Sequence, residues 1–449
     1  MDDSVRILEI SNGYPPRAFG GVELHTHRLV AALARRGHAL SVFTRHSDLG
    51  SADGTIVDEQ VDGIRVRSVV NDAKRGGFEA QWQSGPVREA FAQLLDRERP
   101  EVVHVQHLIG LSHDLPELAR QRGLRVVATV HEYWYACARV MLLRPDGATC
   151  PGPAHADCER CFLAGTRGED PGAAPTPTAG RAAQLALARH LPFAALRARL
   201  TPVTGGAAAR SRFADMAATL GAFARVTTPS RFVIDELARH GLVLPRTTRA
   251  IPLGIDRSGF PADPPAPPPG NSLRIAVVGH VLPHKGVHTL LEAAARLPAA
   301  PLEIHLYGRR WPEHPYEQRI GPLLAADPRV HAHGGFADGT LPHLLAAADV
   351  VALPSSCPES FGIAAREAHL AGRPVLCADR GALPEAVRDG VDGLLLPADD
   401  PGAWADALRR LVDEPALRDR LATGARARAA EIPDMDAYAA EIERFLLRA

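Results

Sequence analysis

The sequence predicts two doubly wound α/β domains of parallel sheet facing each other across a cleft. Three observations carry that reading. Short β-branched runs alternate with amphipathic stretches through both halves of the chain, which is the grammar of βαβ units. A proline-rich connector at residues 261–270 divides the halves. The length, 449 residues, is too great for one compact domain and comfortable for two.

In the first half, residues 5–10 read as a strand, closed by a turn through Gly13, Pro15 and Pro16. From Gly20 to Arg36, Val22, Leu29, Val30 and Leu33 keep helical spacing, and Gly37 stands where a C-terminal cap is expected. Strands follow at residues 40–44, 64–69, 102–106 and 126–130. The second half opens with a strand at 275–278, then a turn and a helix starting near Gly286, with Val287, Leu290, Leu291, Ala294 and Leu297 on one side. Strands at 302–307, 330–333, 350–353 and 374–378 continue the series. The expected boundaries are a first domain at 1–258 with a cysteine-rich insertion at 137–178, a linker at 259–272, a second domain at 273–430, and a C-terminal helix at 431–449 returning to the first domain.

Composition excludes several classes. With 46% hydrophobic and 23% charged residues the chain is an ordinary globular one, not a disordered one. Lys plus Arg number 51 against 52 Asp plus Glu, a balance that argues against a nucleic-acid partner. The longest apolar runs are strand-length, far below the ~20 residues of a membrane span. No basic start followed by an apolar stretch marks a secretory signal. A soluble, cytoplasmic protein is expected. Residues 181–200 combine four arginines with Leu185, Leu191, Phe193 and Leu196; a packed helix is the expected reading, with contact to an anionic membrane or an acidic acceptor as the alternative.

The segment at 354–374 is the most informative: P-S-S-C-P-E-S-F-G-I-A-A-R-E-A-H-L-A-G-R-P. Seven residues separate Glu359 from Glu367, across a loop that becomes a helix at Ser360, Phe361 and Gly362. A helix starting there offers unpaired N–H groups, at Gly362 and Ile363, and the positive end of its dipole to a diphosphate. Glu367, about two turns beyond Glu359, is set to accept hydrogen bonds from hydroxyls.

With these residues the chain resembles the retaining nucleotide-sugar glycosyltransferases of family 4, built from two Rossmann-like domains in the GT-B architecture. The family pattern is a glutamate, seven residues, a second glutamate and A-x-x-x-G-x-P-V, and here it reads E-S-F-G-I-A-A-R-E-A-H-L-A-G-R-P-V. Gly381-Ala382-Leu383-Pro384-Glu385 is similar to the family's G-G-x-x-E turn, with Ala382 in place of the second glycine. Pro252-Leu253-Gly254-Ile255-Asp256 resembles the P-x-G-V-D stretch, and Thr228-Pro229-Ser230 the strand end upstream of it. The family's G-R-x-x-x-x-K-G is here Gly279-His280-Val281-Leu282-Pro283-His284-Lys285-Gly286, so Lys285 is present and His280 replaces the arginine. His284, Arg309 and Arg310 are further sources of charge.

The resemblance implies a site. Lys285 would meet the leaving diphosphate, Glu359 the donor sugar hydroxyls and Glu367 the ribose. The loop Phe19-Gly20-Gly21-Val22-Glu23 matches G-G-x-E and would contact the diphosphate through Gly20 and Gly21, with Glu23 on the acceptor side. His131, ending a strand, would touch the transferred sugar, and His107 would line the acceptor side. Gly335 and Phe336, after the strand at 330–333, would flank the nucleobase, UDP and GDP being the expected nucleotides.

The implied reaction is transfer of a sugar from a nucleotide diphosphate to an acceptor hydroxyl with retention. No D-x-D ends a strand, and no carboxylate is placed as a nucleophile on the far face of the sugar, so a metal-independent front-side displacement without a catalytic cofactor is expected. Low aromatic content favours a soluble small-molecule acceptor of secondary metabolism over a lipid. The alternatives are a sugar-nucleotide epimerase of the same architecture and a non-catalytic nucleotide-sugar-binding protein.

Six cysteines are few, yet Cys137, Cys150, Cys158 and Cys161 fall within 25 residues. The two-residue gap between Cys158 and Cys161 is a chelate spacing, and a structural Zn²⁺ is one expectation, with His155 able to replace a sulfur. Free thiols and disulfides are the others. Cys357 and Cys377 read as small buried hydrophobes.

Overall fold

The computed structural model describes residues 4–48, 50–71, 78–153, 158–162, 206–337 and 339–447. Residues 181–200 and His155 lie outside them. Eight strands form the first sheet: β1 (Arg6–Ser11), β2 (Ala39–His46), β3 (Ile56–Val61), β4 (Ile64–Val70), β5 (Val102–Val105), β6 (Arg125–Thr129), β7 (Arg225–Thr228) and β8 (Arg249–Ala250), in the order β3-β4-β2-β1-β5-β6-β7-β8. Six form the second: β9 (Leu273–Val278), β10 (Leu302–Tyr307), β11 (Val330–Gly334), β12 (Val350–Leu353), β13 (Val375–Ala378) and β14 (Gly393–Leu396), in the order β11-β10-β9-β12-β13-β14.

All pairings in the second sheet are parallel. Helices on both faces explain why a strand such as β12 is buried at every residue and carries an unbroken apolar run. The expectation of purely parallel sheets fails at one edge, where β3 pairs antiparallel with β4. The signal was the Asp62-Gly63 pair, both with positive φ (51° and 80°), which turns a two-residue hairpin. Polar alternation in β3 hid that strand from a search for apolar runs. β14 and the two-residue β8 were also missed.

Each sheet reverses its winding beside its first strand: β1 lies between β2 and β5, and β9 lies between β10 and β12. Ligands in such sheets bind at the C-terminal ends of the strands flanking the reversal. The loops after β1, β5 and β6 therefore form one wall of a cleft, and those after β9 and β12 the other.

One apolar core fills each sheet's layers, and a third joins the halves. In it Leu29, Ala32 and Leu33 of the helix Gly21–Arg35 meet Tyr438, Ile442 and Phe445 of the helix Met435–Leu447, together with Leu253, Ile255, Phe361 and Leu370. Gly254 lets the two chain crossings touch, since a Cβ there would lie 2.7 Å from the Tyr438 Cβ. Among the described residues no helix is long and apolar enough to cross a membrane.

Candidate active site

The loop after β9 ends in a single turn of 3₁₀ helix, Pro283–Lys285, closed by Gly286 at φ 65°. A Cβ on Gly286 would sit 1.8 Å from the Pro354 carbonyl oxygen, so only glycine lets this loop pack against the end of β12. The Ser356 N–H donates to the His284 carbonyl at 2.9 Å and ties the two loops together. The result is a fixed pair: Lys285 Nζ lies 2.7 Å from Glu359 Oε1, which also accepts from Ser355 Oγ at 2.8 Å. Burial alone would push the Glu359 carboxyl up. The Lys285 ammonium, the hydrogen bonds from Lys285 and Ser355, and His284 outweigh it and hold the group below the ordinary value. Burial likewise works against the Lys285 charge, and Glu359 more than compensates.

Past Glu359 the chain turns through Ser360, Phe361 and Gly362, the last at φ 74°, into the helix Ile363–Leu370. Because the helix begins only after Gly362, Glu367 lies one turn into it, not two. Burial, with a smaller push from Asp256 and an opposing pull from Arg28, raises the Glu367 carboxyl to about 7. Arg28 pairs with Asp256 at 3.2 Å, so its charge is shared.

These groups line a cavity of about 360 Å³ whose opposite wall comes from the first half of the chain: Gly21, Val22, His131, Glu132 and Leu253. Among the residues that line it from the second half are His280, Lys285, Ser355, Glu359, Ser360, Phe361, Gly362, Ile363 and Glu367. A Cβ on Gly21 would meet nothing within 4 Å, so this residue stands open to the space. Gly20 does something else: a Cβ there would meet the Glu23 carboxylate at 2.2 Å. Glu23 folds back over the glycine loop and accepts from Asn12 Nδ2 at 3.0 Å, outside the cavity lining.

His107 also stands behind the lining. Its Nε2 lies 2.6 Å from Glu132 Oε1, and its Nδ1 accepts from the Ile109 N–H at 3.0 Å. His131 is buried, and burial first, then His25, His107 and His104, holds it well below the ordinary histidine range. His280 is exposed and edge-on to Trp311 at 5.1 Å. Burial, Lys285 and Arg309 lower its pKa, which makes it a neutral N–H donor near pH 7. Arg310 pairs with Glu317, while Arg309 lies over Trp311. Gly335 and Phe336 lie outside the cavity lining, with Phe336 40% exposed.

Three features were not assigned from sequence. Glu132 lines the cavity, Ser355 holds Glu359, and two contacts bridge the halves beside the cleft. In the bridge, Ser230 Oγ donates to the Ser360 carbonyl at 2.7 Å, and the Glu385 carboxylate accepts from the N–H groups of Arg231 and Phe232 at 3.0 and 2.7 Å. Glu132 was legible as the neighbour of His131. Ser355 lies four residues before Glu359 on the same loop, and the bridging contacts join loops distant in sequence.

Cys137, Cys150, Cys158 and Cys161 all line a second cavity of about 450 Å³, and none forms a disulfide. Sulfur donors suit zinc. Among the described residues, however, no three His, Cys, Asp or Glu side chains are arranged to hold a metal ion. The four thiols share one space, and His155, the other expected ligand, lies outside the described residues. Burial pushes Cys137 up to about 11. Cys357 and Cys377 are buried, as expected.

A family model described as Glycosyl transferases group 1 matches residues 262–428, and one described as Glycosyltransferase Family 4 matches residues 19–156. A D-inositol 3-phosphate glycosyltransferase of Actinosynnema mirum is 30% identical over 435 residues, which cover 90% of this chain and 87% of the relative. An MMP alpha-(1->4)-mannosyltransferase of Mycolicibacterium hassiacum is 36% identical over 219 residues, 48% of this chain and 51% of the relative. That match and those to three D-inositol 3-phosphate glycosyltransferases span only 17% to 51% of the relatives' lengths. Among solved structures, sucrose-phosphate synthase of Thermosynechococcus elongatus superposes with a TM-score of 0.65 at 20% identity, covering 98% of this chain and 97% of that one. Anabaena HepE, in complex with UDP and glucose, gives 0.62 at 18% identity, covering 99% and 100%. These structures share the fold, two parallel-sheet α/β domains across a cleft. On the full-length relative, the two family models and this architecture, the chain belongs to the family 4 glycosyltransferases of GT-B fold.

Proposed function

We propose that this protein transfers a sugar from a nucleotide-diphosphate donor to a hydroxyl of its acceptor, with retention of anomeric configuration and without a catalytic metal. One observation carries the reading: the Lys285–Glu359 pair stands beside the open N-terminus of the helix Ile363–Leu370 and shares a cavity with Gly21 and His131. A diphosphate entering that space meets an ammonium, a row of backbone N–H groups and the glycine loop, all suited to negative charge. Lys285 would then exchange part of its contact with Glu359 for phosphate oxygen. The freed Glu359 oxygen would accept from a sugar hydroxyl, and Glu367, as carboxylate, from the ribose.

In the proposed step the bond from the anomeric carbon to the departing phosphate oxygen breaks as the acceptor oxygen bonds to the same face. The acceptor proton passes to the departing phosphate. Lys285, the helix amides and the neutral His280 N–H stabilise the charge that collects there. The HepE complex with UDP and glucose supports a nucleotide-sugar donor by analogy of fold.

The test begins with a panel of nucleotide sugars screened for thermal stabilisation, where a donor at 100 times its dissociation constant adds about 2.7 kcal/mol. With that donor, free nucleotide should appear on addition of an acceptor. Glu367→Ala should weaken donor binding, and Glu359→Ala should lower turnover more than binding. Unchanged turnover in both variants, correctly folded, would overturn the site.

A further inference from the structure

A chain of buried polar groups runs from the cleft into the first sheet. His131 Nε2 lies 2.7 Å from Gln106 Oε1. Gln106 Nε2 donates to Glu9 Oε2 at 2.9 Å, and the other Glu9 oxygen lies 3.0 Å from His104 Nδ1. His104 Nε2 reaches Thr129 Oγ1 at 2.9 Å, which reaches Thr227 Oγ1 at 3.0 Å. Gln106 is 2% exposed, and Glu9 and His104 are fully buried. Residues on β1, β5, β6 and β7 are thus linked beneath the wall of the active site, where a lost hydrogen bond is costly.

Donor and acceptor chemistry gives this chain a direction. The amide nitrogen of Gln106 donates to Glu9 Oε2, which fixes the sense of the amide. The amide oxygen must then face His131, and an oxygen facing Nε2 requires Nε2 to carry the proton. We propose that Gln106, oriented by Glu9, is a positioning residue that holds His131 as the neutral Nε2–H tautomer. The second ring nitrogen, Nδ1, is left with its lone pair as the acceptor for a substrate hydroxyl.

The inference deepens the proposed function and rests on it for the role of that hydroxyl, though not for the tautomer. The charged and titratable groups around His131 agree with it. His25 packs edge-on to the ring at 5.4 Å, while His104 and His107 act on it as further partners that disfavour its charge. Glu132, which would favour an imidazolium, is engaged by His107. Every other hydrogen bond in the chain is satisfied without a proton on Nδ1.

Nitrogen NMR of histidine-labelled protein reads the tautomer directly, with the His131 signals identified by their loss in His131→Gln. The wild type should show the neutral Nε2–H form throughout pH 6–8. Gln106→Glu, which replaces the amide with a second acceptor facing the ring, should bring protonation of His131 into that range. Gln106→Leu, close in size, should leave a mixture of tautomers. With the donor that stabilises the protein, Gln106→Leu should lower turnover roughly tenfold with its KM within about twofold, and should cost nothing further in a His131→Gln background. An Nδ1–H tautomer in the wild type, or the same tautomer in Gln106→Leu, overturns the proposal. A wild type with the Nε2–H form that cleaves no donor overturns the proposed function instead and leaves the tautomer assignment standing. Should Gln106→Leu fail to fold, Gln106→Glu and the wild-type spectrum decide the question.

Discussion

Replacing Glu367 by glutamine tests whether a carboxylate held at an unusual pKa grips the donor. In the free protein its carboxyl is raised from 4.5 to about 7, by burial before any charge effect. The ionised form accepts from ribose hydroxyls on both oxygens and more strongly than the acid, so donor affinity should follow the ionised fraction. At pH 8 about nine molecules in ten are ionised, at pH 7 about half, and at pH 6 about one in eleven. The apparent dissociation constant of the intact donor should therefore weaken from pH 8 to pH 6, by at most about tenfold. Calorimetry with the intact nucleotide sugar is the assay, because its diphosphate diester does not titrate in this range. Glu367→Gln should bind more weakly at pH 8 and show no such slope.

The sign for stability is opposite to that of a salt-bridged carboxylate. A folded-state pKa above the ordinary value means stability present at low pH is lost as pH rises through about 7. At ~1.4 kcal/mol per pH unit the full loss is about 3 kcal/mol, a ceiling because the group faces an open cleft. Glu367→Gln should accordingly be the more stable protein at pH 8 in the absence of donor. A wild-type dissociation constant that is flat from pH 6 to 8, or an equal slope in the variant, would refute this account of Glu367.

Other consequences are more direct. Lys285→Met leaves Glu359 without its cation, so the carboxyl should rise toward neutrality and turnover should fall roughly 10²-fold or more, measured as acceptor-dependent nucleotide release; activity within twofold of wild type would remove Lys285 from the mechanism. Gly286→Ala must move either the loop or the Pro354 carbonyl, since its Cβ would lie 1.8 Å from that oxygen at φ 65°. Chemical denaturation should show a loss of about 2 kcal/mol or more, with donor binding impaired in the molecules that remain folded. Activity should survive exhaustive chelation, and a loss restored only by Mg²⁺ or Mn²⁺ would refute the metal-free mechanism.

Much of this protein was legible in the sequence because its strands are buried on both faces. Such strands are mostly runs of Val, Ile, Leu and Ala, and such runs are visible without coordinates, as at Val350 and Val351. Lys285, Glu359 and Glu367 were visible for a related reason: each sits at a fixed offset from a glycine or a helix start that the backbone itself demands. What escaped was whatever depended on an alternating surface or on distant partners. β3 is an edge strand with polar residues facing out, so no apolar run announced it. Glu23 looked like a cleft residue until the fold turned its carboxylate onto Asn12. The four cysteines had a ligand-like spacing, and it is packing, not spacing along the chain, that brings all four to one cavity. Local sequence thus determined the elements and the loops at their ends, because backbone geometry is local. Tertiary structure alone decided which side chains share a proton, a charge or a cavity, because Glu9, Gln106 and His131 lie on three different strands or strand ends and meet only when the sheet closes.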